Sequence, residues 1–310
     1  MPAPARGRAT ADPLGVVLCL LSAAGFGAMA IFGKLAYDAG VSTITLLTAR
    51  FALATVLFGL LLSVRADLVA SLRRAPRRAL LVGVALGAVG YALQAGLFFA
   101  ALRRLDASLL ALVLYTYPAW VMLASFAIGR ERPTRGRVAA LALASVGLVV
   151  LLAGASGGSL DVLGVALGLG AALAYTVYIL VADREGLALP PLALTALVVA
   201  GAATTFTLIG ALSGSLDTGF EAEGWLWLVL LTVVSTAGPI AAFFAGLARV
   251  GPSSAAILSS TEPVVTVVLA GLVFGEVLSG PQLLGAALVL GAAVLLAVPG
   301  RVPARVPPDY

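Results

Sequence analysis

Residues 98–131 read FFAALRRLDASLLALVLYTYPAWVMLASFAIGRE, and residues 243–276 read FFAGLARVGPSSAAILSSTEPVVTVVLAGLVFGE. Laid on each other without a gap, at a shift of 145 residues, they align Phe98-Phe99 with Phe243-Phe244, Leu102 with Leu247 and Arg104 with Arg249. Further along, Ser108 meets Ser253, Thr116 meets Thr261, Pro118 meets Pro263 and Glu131 meets Glu276. Coincidences of Leu and Ala carry little weight in so apolar a chain. A proline inside an apolar segment and a glutamate at its end, both in register, carry more, and they point to an internal duplication. Upstream, Phe26 aligns with Tyr175 at a slightly larger shift, which extends the copied unit over each half.

The solvent of these repeats is fixed by composition. The 310 residues are 61% hydrophobic and 11% charged, with a mean hydropathy of +1.11, against about 25% charged residues in soluble domains. Apolar stretches of the length that spans a hydrocarbon core follow one another. They predict an all-α membrane protein with helices at about 13–37, 42–64, 79–102, 107–128, 136–154, 161–182, 191–213, 224–247, 253–274 and 281–299. Breaker and polar clusters separate them, including Asp38-Ala39-Gly40, Arg65 to Arg78, Leu189-Pro190-Pro191 and Gly251-Pro252. The first apolar run is too long for a cleavable signal core and is expected to remain as a span. Residues 1–12 and the Pro-rich 300–310 read as tails.

Ten spans in two copies make each unit five helices long: 13–154 and 161–299. An odd-numbered unit re-enters the membrane from the opposite side, so the expected architecture is two inverted repeats around a central cavity. Orientation follows from the 19 Lys and Arg residues. Arg6, Arg8, Arg65, Arg73, Arg74, Arg77, Arg78, Arg130, Arg132, Arg135, Arg137, Arg184, Arg249, Arg301 and Arg305 fall on the side of the N-terminus, and Lys34, Arg103 and Arg104 on the other. Positive charge stays cytoplasmic, which predicts cytoplasmic N- and C-termini in the inner membrane of a prokaryote. This loop placement of the arginines reads as membrane orientation and not as a nucleic-acid surface. A single cysteine, Cys19, and no histidine exclude an internal disulfide and the usual thiolate and imidazole metal sites. Neither a cofactor nor an enzymatic cluster is expected, and no Walker A pattern is present.

Gly25-Phe26-Gly27 with Lys34, Arg50-Phe51, Phe98-Phe99-Ala100-Ala101-Leu102, Tyr117-Pro118 with Gly129-Arg130-Glu131, and Glu262-Pro263 with Gly275-Glu276 occur in this order along the chain. In order and spacing they resemble the drug/metabolite transporter superfamily, specifically its EamA-type ten-helix exporters, over about residues 14–298. The resemblance implies a basket-like bundle that alternates between inward-open and outward-open forms and exports amino acids or related small metabolites. A non-transporting scaffold or chaperone subunit is the alternative reading.

Several residues have chemistry the bilayer makes costly. Glu262 sits within an apolar segment, where a carboxylate costs about 2.5–3.5 kcal/mol on insertion scales, and Ser259 and Thr266 share its face. It reads as a proton-coupling carboxylate or an anchor for a cationic group. Arg50 cannot shed its charge and reads as a structural anchor, with a substrate carboxylate as the second reading. Lys34 is expected to snorkel to the interface. Tyr91, Gln94 and Phe98 share a helix face, as do Tyr175 and Tyr178, while Tyr115, Tyr117 and Trp120 cluster on one segment. Together they suit an amphipathic organic substrate, although aromatic stripes are more often packing. Pro118 and Pro263 are candidate hinges. Trp225 and Trp227 read as an interfacial anchor, Gly83, Gly87, Gly90, Gly164 and Gly168 as close helix contacts with a homodimer face as the second reading, and Glu131 and Glu276 as helix caps or gate contacts.

Overall fold

The computed structural model describes residues 12–128, 135–155, 161–184, 189–250, 255 and 258–297, and these form helices, turns and loops without a strand. Among the described residues, seven helical segments are long and apolar enough to cross a membrane: Pro13–Asp38, Thr43–Val64, Arg77–Leu102, Ala107–Ala127, Val162–Ala182, Pro191–Ser213 and Ala222–Val250. Val138–Gly154, Glu262–Phe274 and Gly280–Leu295 are shorter apolar helices. Large aliphatic side chains such as Leu212, Leu272 and Val277 stand almost fully exposed, as a lipid solvent permits. The Gly129-Arg130-Glu131 motif, Pro252, Ser253 and the segments 1–11 and 298–310 lie outside the described residues.

Glycine sets how closely the helices approach. A Cβ at Gly147 would lie 2.9 Å from Leu288 Cβ, and one at Gly154 would lie 2.8 Å from Gln282 N, so the Arg135–Ala155 and Gly280–Ala297 helices run antiparallel. The Thr43–Val64 and Pro191–Ser213 helices also run antiparallel. The Thr45 hydroxyl, at the start of the first, donates to Asp217 O at 3.1 Å just past the end of the second, and Phe51 stacks on Phe206 at 5.7 Å. Each of these two pairs joins positions that correspond in the sequence duplication.

The sequence analysis expects continuous helices where the structure has interruptions. Helix Pro13–Gly27 gives way to Met29–Asp38 at Ala28. Ala107–Leu114 is separated from Tyr117–Ala127 by Tyr115 and Thr116, and Glu262–Phe274 begins after a turn at Ser260 and Thr261. The last two breaks share one local design. Thr116 Oγ1 donates to Val113 O and Thr261 Oγ1 to Leu258 O, both at 2.7 Å, and a proline lacking its N–H follows two residues later in each. Glu262 is therefore not in mid-helix but in the first turn after a break. Two π-helical turns, Leu86–Tyr91 and Val233–Ala237, occupy similar places in their halves. Pro239 follows the second and cannot donate to the turn before it; the first is where Gly87 meets the backbone of Val198.

The stretch Arg65 to Arg78, expected as a polar loop, contains a further helix, Ala66–Arg74. Asp67 in its first turn and Arg73 and Arg74 in its last match the helix dipole, and Leu68 anchors it by burial. Arg65 Nη2 pairs with Asp67 Oδ2 at 2.8 Å and holds that carboxyl down to about 2.

Two ion pairs tie the halves crosswise. Arg104 Nη1 lies 2.9 Å from Asp161 Oδ2, and its repeat partner Arg249 has Nε 3.6 Å from Asp12 Oδ2. Each aspartate also accepts from its own helix start, Asp161 from Gly164 N at 2.8 Å and Asp12 from Leu14 N at 3.1 Å.

Steric fit at the glycine crossings has a direct test. Gly87→Ala drives a methyl into the Val198 carbonyl group and is expected to cost about 1–3 kcal/mol, read as a lowered unfolding midpoint in detergent micelles. Gly59→Ala meets nothing within 4 Å and is expected to be neutral or slightly stabilising.

Candidate functional site

Pro263 has no N–H, so the carbonyl of Ser259, four residues earlier, loses its helical donor. The hydroxyl of Tyr115 takes that place from across the duplication: it donates to Ser259 O at 2.6 Å and lies 3.3 Å from Glu262 Oε2. The two helix breaks thus meet side by side, with the carboxylate between them.

From that meeting point a row of aromatic rings runs through the protein. Tyr115 packs on Tyr117 at 5.8 Å between centroids, Tyr117 on Tyr175 at 4.8 Å, Tyr175 on Tyr178 at 6.0 Å and Tyr178 on Tyr91 at 5.8 Å. Phe51, next to Arg50, meets Tyr91 edge-on at 5.6 Å. Five of the seven tyrosines in the chain are in this row. Four of them, Tyr91, Tyr117, Tyr175 and Tyr178, are half-buried, as is Glu262. The row therefore offers hydroxyls and ring faces together, the surface an amphipathic solute requires.

The other sequence candidates fall in different surroundings. Phe98 packs edge-on against Phe99 at 5.3 Å inside the apolar core, and Gln94 is buried one turn earlier on the same helix. Trp120 Nε1 donates to Thr116 Oγ1 at 3.3 Å, bracing the first break. Ser259 takes part through its carbonyl. Thr266, on the Glu262 face, donates to Gly27 O at 2.8 Å beside the Ala28 break. Trp227 stacks on Phe32 at 6.3 Å and Trp225 packs on Phe220 at 5.0 Å.

Arg50 is 1% exposed, held between the rings of Phe51 and Phe99 at 5.0 and 5.4 Å. Its Nε donates to Thr236 Oγ1 at 2.9 Å, and that hydroxyl donates onward to Leu231 O, five residues back in the π turn. The sequence requires a partner for Arg50 but gives no sign that it is a hydroxyl in a widened helical turn.

Lys34 ends on a carboxylate. Its Nζ donates to Glu276 Oε1 at 2.8 Å. Gly275 ends the preceding helix at φ 68, a left-handed conformation in which Glu276 N reaches back to Ala270 O. That reversal brings the carboxylate to the start of the Ala107–Leu114 helix, where it accepts from Ala107 N and Ser108 N, both at 3.0 Å, and from Ser108 Oγ at 2.7 Å. Asp106, at the N-cap position itself, makes no such bond. A cavity of about 500 Å³ opens beside this latch, lined by Lys34, Tyr37, Asp38, Arg103, Asp106 and Glu276 among others. Burial alone would raise the Glu276 carboxyl, but the Lys34 ammonium and the Ser108 and Ala107 donors outweigh it and hold it below the usual carboxylate range.

A many-helix apolar body that gathers its polar groups at a half-buried carboxylate, an aromatic row and a charged latch is that of a polytopic membrane protein. The chain belongs to the EamA-like transporter family, which matches it twice, over residues 13–153 and 162–298. Among curated relatives, an uncharacterized transporter of Archaeoglobus fulgidus is 29% identical over 64% of this chain and 70% of its own length. The uncharacterized transporter YwfM of Bacillus subtilis is 29% identical over 70% of this chain and 74% of its own. A crystal structure 21% identical in sequence superposes over 91% of this chain and 95% of that one with a TM-score of 0.60, which shows a common fold. The protein is accordingly a multi-pass membrane transporter of small molecules and not an enzyme.

Two substitutions test the site's construction. Tyr115→Phe leaves the Ser259 carbonyl without a donor and is expected to cost about 1–3 kcal/mol of stability. Pro263→Ala restores a backbone donor there, so in that background Tyr115→Phe should cost less, a non-additivity that a double-mutant cycle of unfolding midpoints measures. At the latch, the depressed Glu276 value makes its contribution complete above the ordinary glutamate range near about 4.3 and lost as pH falls through the folded value. Glu276→Gln is expected to lower the midpoint at neutral pH and to flatten its fall in acid.

Proposed function

We propose that this protein is a secondary active exporter of amino acids or related small metabolites. It works by alternating access between two antiparallel five-helix halves, ten spans in all, in a prokaryotic cytoplasmic membrane with both termini inside. The observation that carries this reading is the meeting of Tyr115 with Ser259 and Glu262, where a broken segment from each half contributes to one half-buried polar site. Broken helices beside a repeat interface expose backbone groups and side chains to a solute at mid-membrane depth.

The antiparallel pairing of corresponding helices and the crosswise pairs Arg104 with Asp161 and Arg249 with Asp12 support the inverted arrangement. In that topology Glu276 and Lys34 lie at the outer face, and their bond closes that side. Glu262 binds a proton or a cationic substrate group, the row Tyr91, Tyr178, Tyr175, Tyr117 holds the body of the solute, and Pro118 and Pro263 permit the breaks to flex. Arg50 anchors the Thr43–Val64 helix to the π turn. Gln94 and Phe98 back the row from the core.

Purified protein in liposomes is expected to accumulate an amino acid when a pH gradient is imposed and to exchange it with no gradient. Glu262→Gln should abolish the gradient-driven uptake while leaving exchange. Uptake with unchanged pH dependence in that variant would refute the coupling role.

A further inference from the structure

From Arg65 to Arg78, where the Thr43–Val64 span gives way to the Arg77–Leu102 span, the chain holds five arginines and a single acid, Asp67. That acid is already taken. Arg65 grips it with both arms of its fork, Nε to Oδ1 at 2.9 Å and Nη2 to Oδ2 at 2.8 Å. Arg73, Arg74 and Arg77 are exposed and form no ion pair with any described residue. Three arginines thus stand within five residues with no carboxylate to answer them.

Membrane orientation depends on how many cations stand on one side and not on their spacing, so it does not account for this concentration. Helix Ala66–Arg74 packs on the Thr43–Val64 and Pro191–Ser213 helices, with Leu68 buried and Val69 and Leu72 half-buried. That packing holds Arg73 and Arg74 where the spans end. Ala75 and Pro76 follow, and Arg77 then begins the next span with neither an acidic residue in its first turn nor a side-chain cap. A cation there opposes the helix dipole, so the helix itself gains nothing from it. Arg77, Leu81 and Val84 share a face at i, i+4 and i+7, and Leu81 and Val84 are 70% and 39% exposed. A ligand on this surface meets cations at the membrane boundary and an aliphatic strip running on into the bilayer. Clustered basic residues beside a span attract anionic lipid.

We propose that Arg73, Arg74 and Arg77 form a headgroup site for an anionic phospholipid of the adjoining leaflet, with an acyl chain laid along Leu81 and Val84. The guanidinium forks take the phosphate oxygens, because each presents paired N–H donors to two of them. A zwitterionic lipid carries its own ammonium beside the phosphate and gains less from three cations. A free phosphate has no body to cover the aliphatic strip. The site concerns how the protein is held in its membrane and is independent of what it transports.

The test adds phosphatidylglycerol, phosphatidylcholine or inorganic phosphate to the full chain in an uncharged detergent at constant ionic strength and follows the thermal unfolding midpoint. Phosphatidylglycerol should raise the midpoint as its excess grows, and the other two should not. Arg77→Gln should weaken the phosphatidylglycerol response about fivefold, the share of one cation near an anionic headgroup. Replacing Arg73, Arg74 and Arg77 together by Gln should abolish it. Arg135→Gln removes the same charge from an exposed position at the start of another helix and should leave the response intact. All four side chains are exposed, so these variants keep the fold. A parent midpoint indifferent to phosphatidylglycerol overturns the proposal, as does a response matched by phosphatidylcholine or by inorganic phosphate. So does a response that survives the triple replacement, or one that Arg135→Gln weakens as much as Arg77→Gln.

Discussion

Inside a bilayer a backbone carbonyl that loses its helical donor has no water to turn to, and each such group costs several kcal/mol. Two segments of this protein are interrupted by the same device, a threonine folded back on its own helix and a proline two residues later. The second interruption frees the Ser259 carbonyl, and Tyr115, from the first, satisfies it at 2.6 Å. The second break is thus stabilised by the first. Glu262 Oε2 lies 3.3 Å from the same Tyr115 hydroxyl, and the Tyr117 and Tyr175 rings pack in line with it.

The same economy governs the ends of the molecule. The start of the Ala107–Leu114 helix is capped by Glu276 from the other half, and Lys34 neutralises the carboxylate that does so. Arg104 and Arg249 each reach the N-capping aspartate of a helix in the opposite half. These exposed pairs contribute little energy, about 0–1 kcal/mol each, but they fix which ends lie together. Contacts across the halves therefore occur both at a helix start and at a helix break.

Much of this was legible in the sequence. Apolar run lengths gave most helix bounds to within a few residues, though the run 253–274 holds a helix that starts only at Glu262, and the register of Pro118 with Pro263 and Glu131 with Glu276 exposed the duplication. Glu262 and Arg50 stood out because an ionised group among aliphatic residues demands an account. What periodicity could not reveal was how those demands are met. Glu276 and Lys34, read as independent end residues, form a bond across 242 positions. Arg50 meets a threonine in a π turn, and nothing in composition marks a widened turn apart from the nearby Pro239. Nothing in the sequence marks Asp12 and Asp161, because lone aspartates at span ends look like solvated charge. The helix Ala66–Arg74 was hidden by its arginines, although Asp67 and the terminal Arg73 and Arg74 follow the dipole rule. Phe98 shares a face with Tyr91 by spacing, yet the π turn between Leu86 and Tyr91 and the packing of Phe99 leave it in the core.

The central claim is that the two halves lie in the membrane upside down with respect to each other. Its most direct measurement uses the corresponding aspartates, with Cys19, the sole and buried cysteine, replaced by alanine. Asp161→Cys and Asp12→Cys, introduced separately, are treated with a membrane-impermeant thiol reagent in intact cells and after permeabilisation. Inverted halves require position 161 to label from outside and position 12 only once the membrane is opened. Labelling of both from the same side would contradict the account.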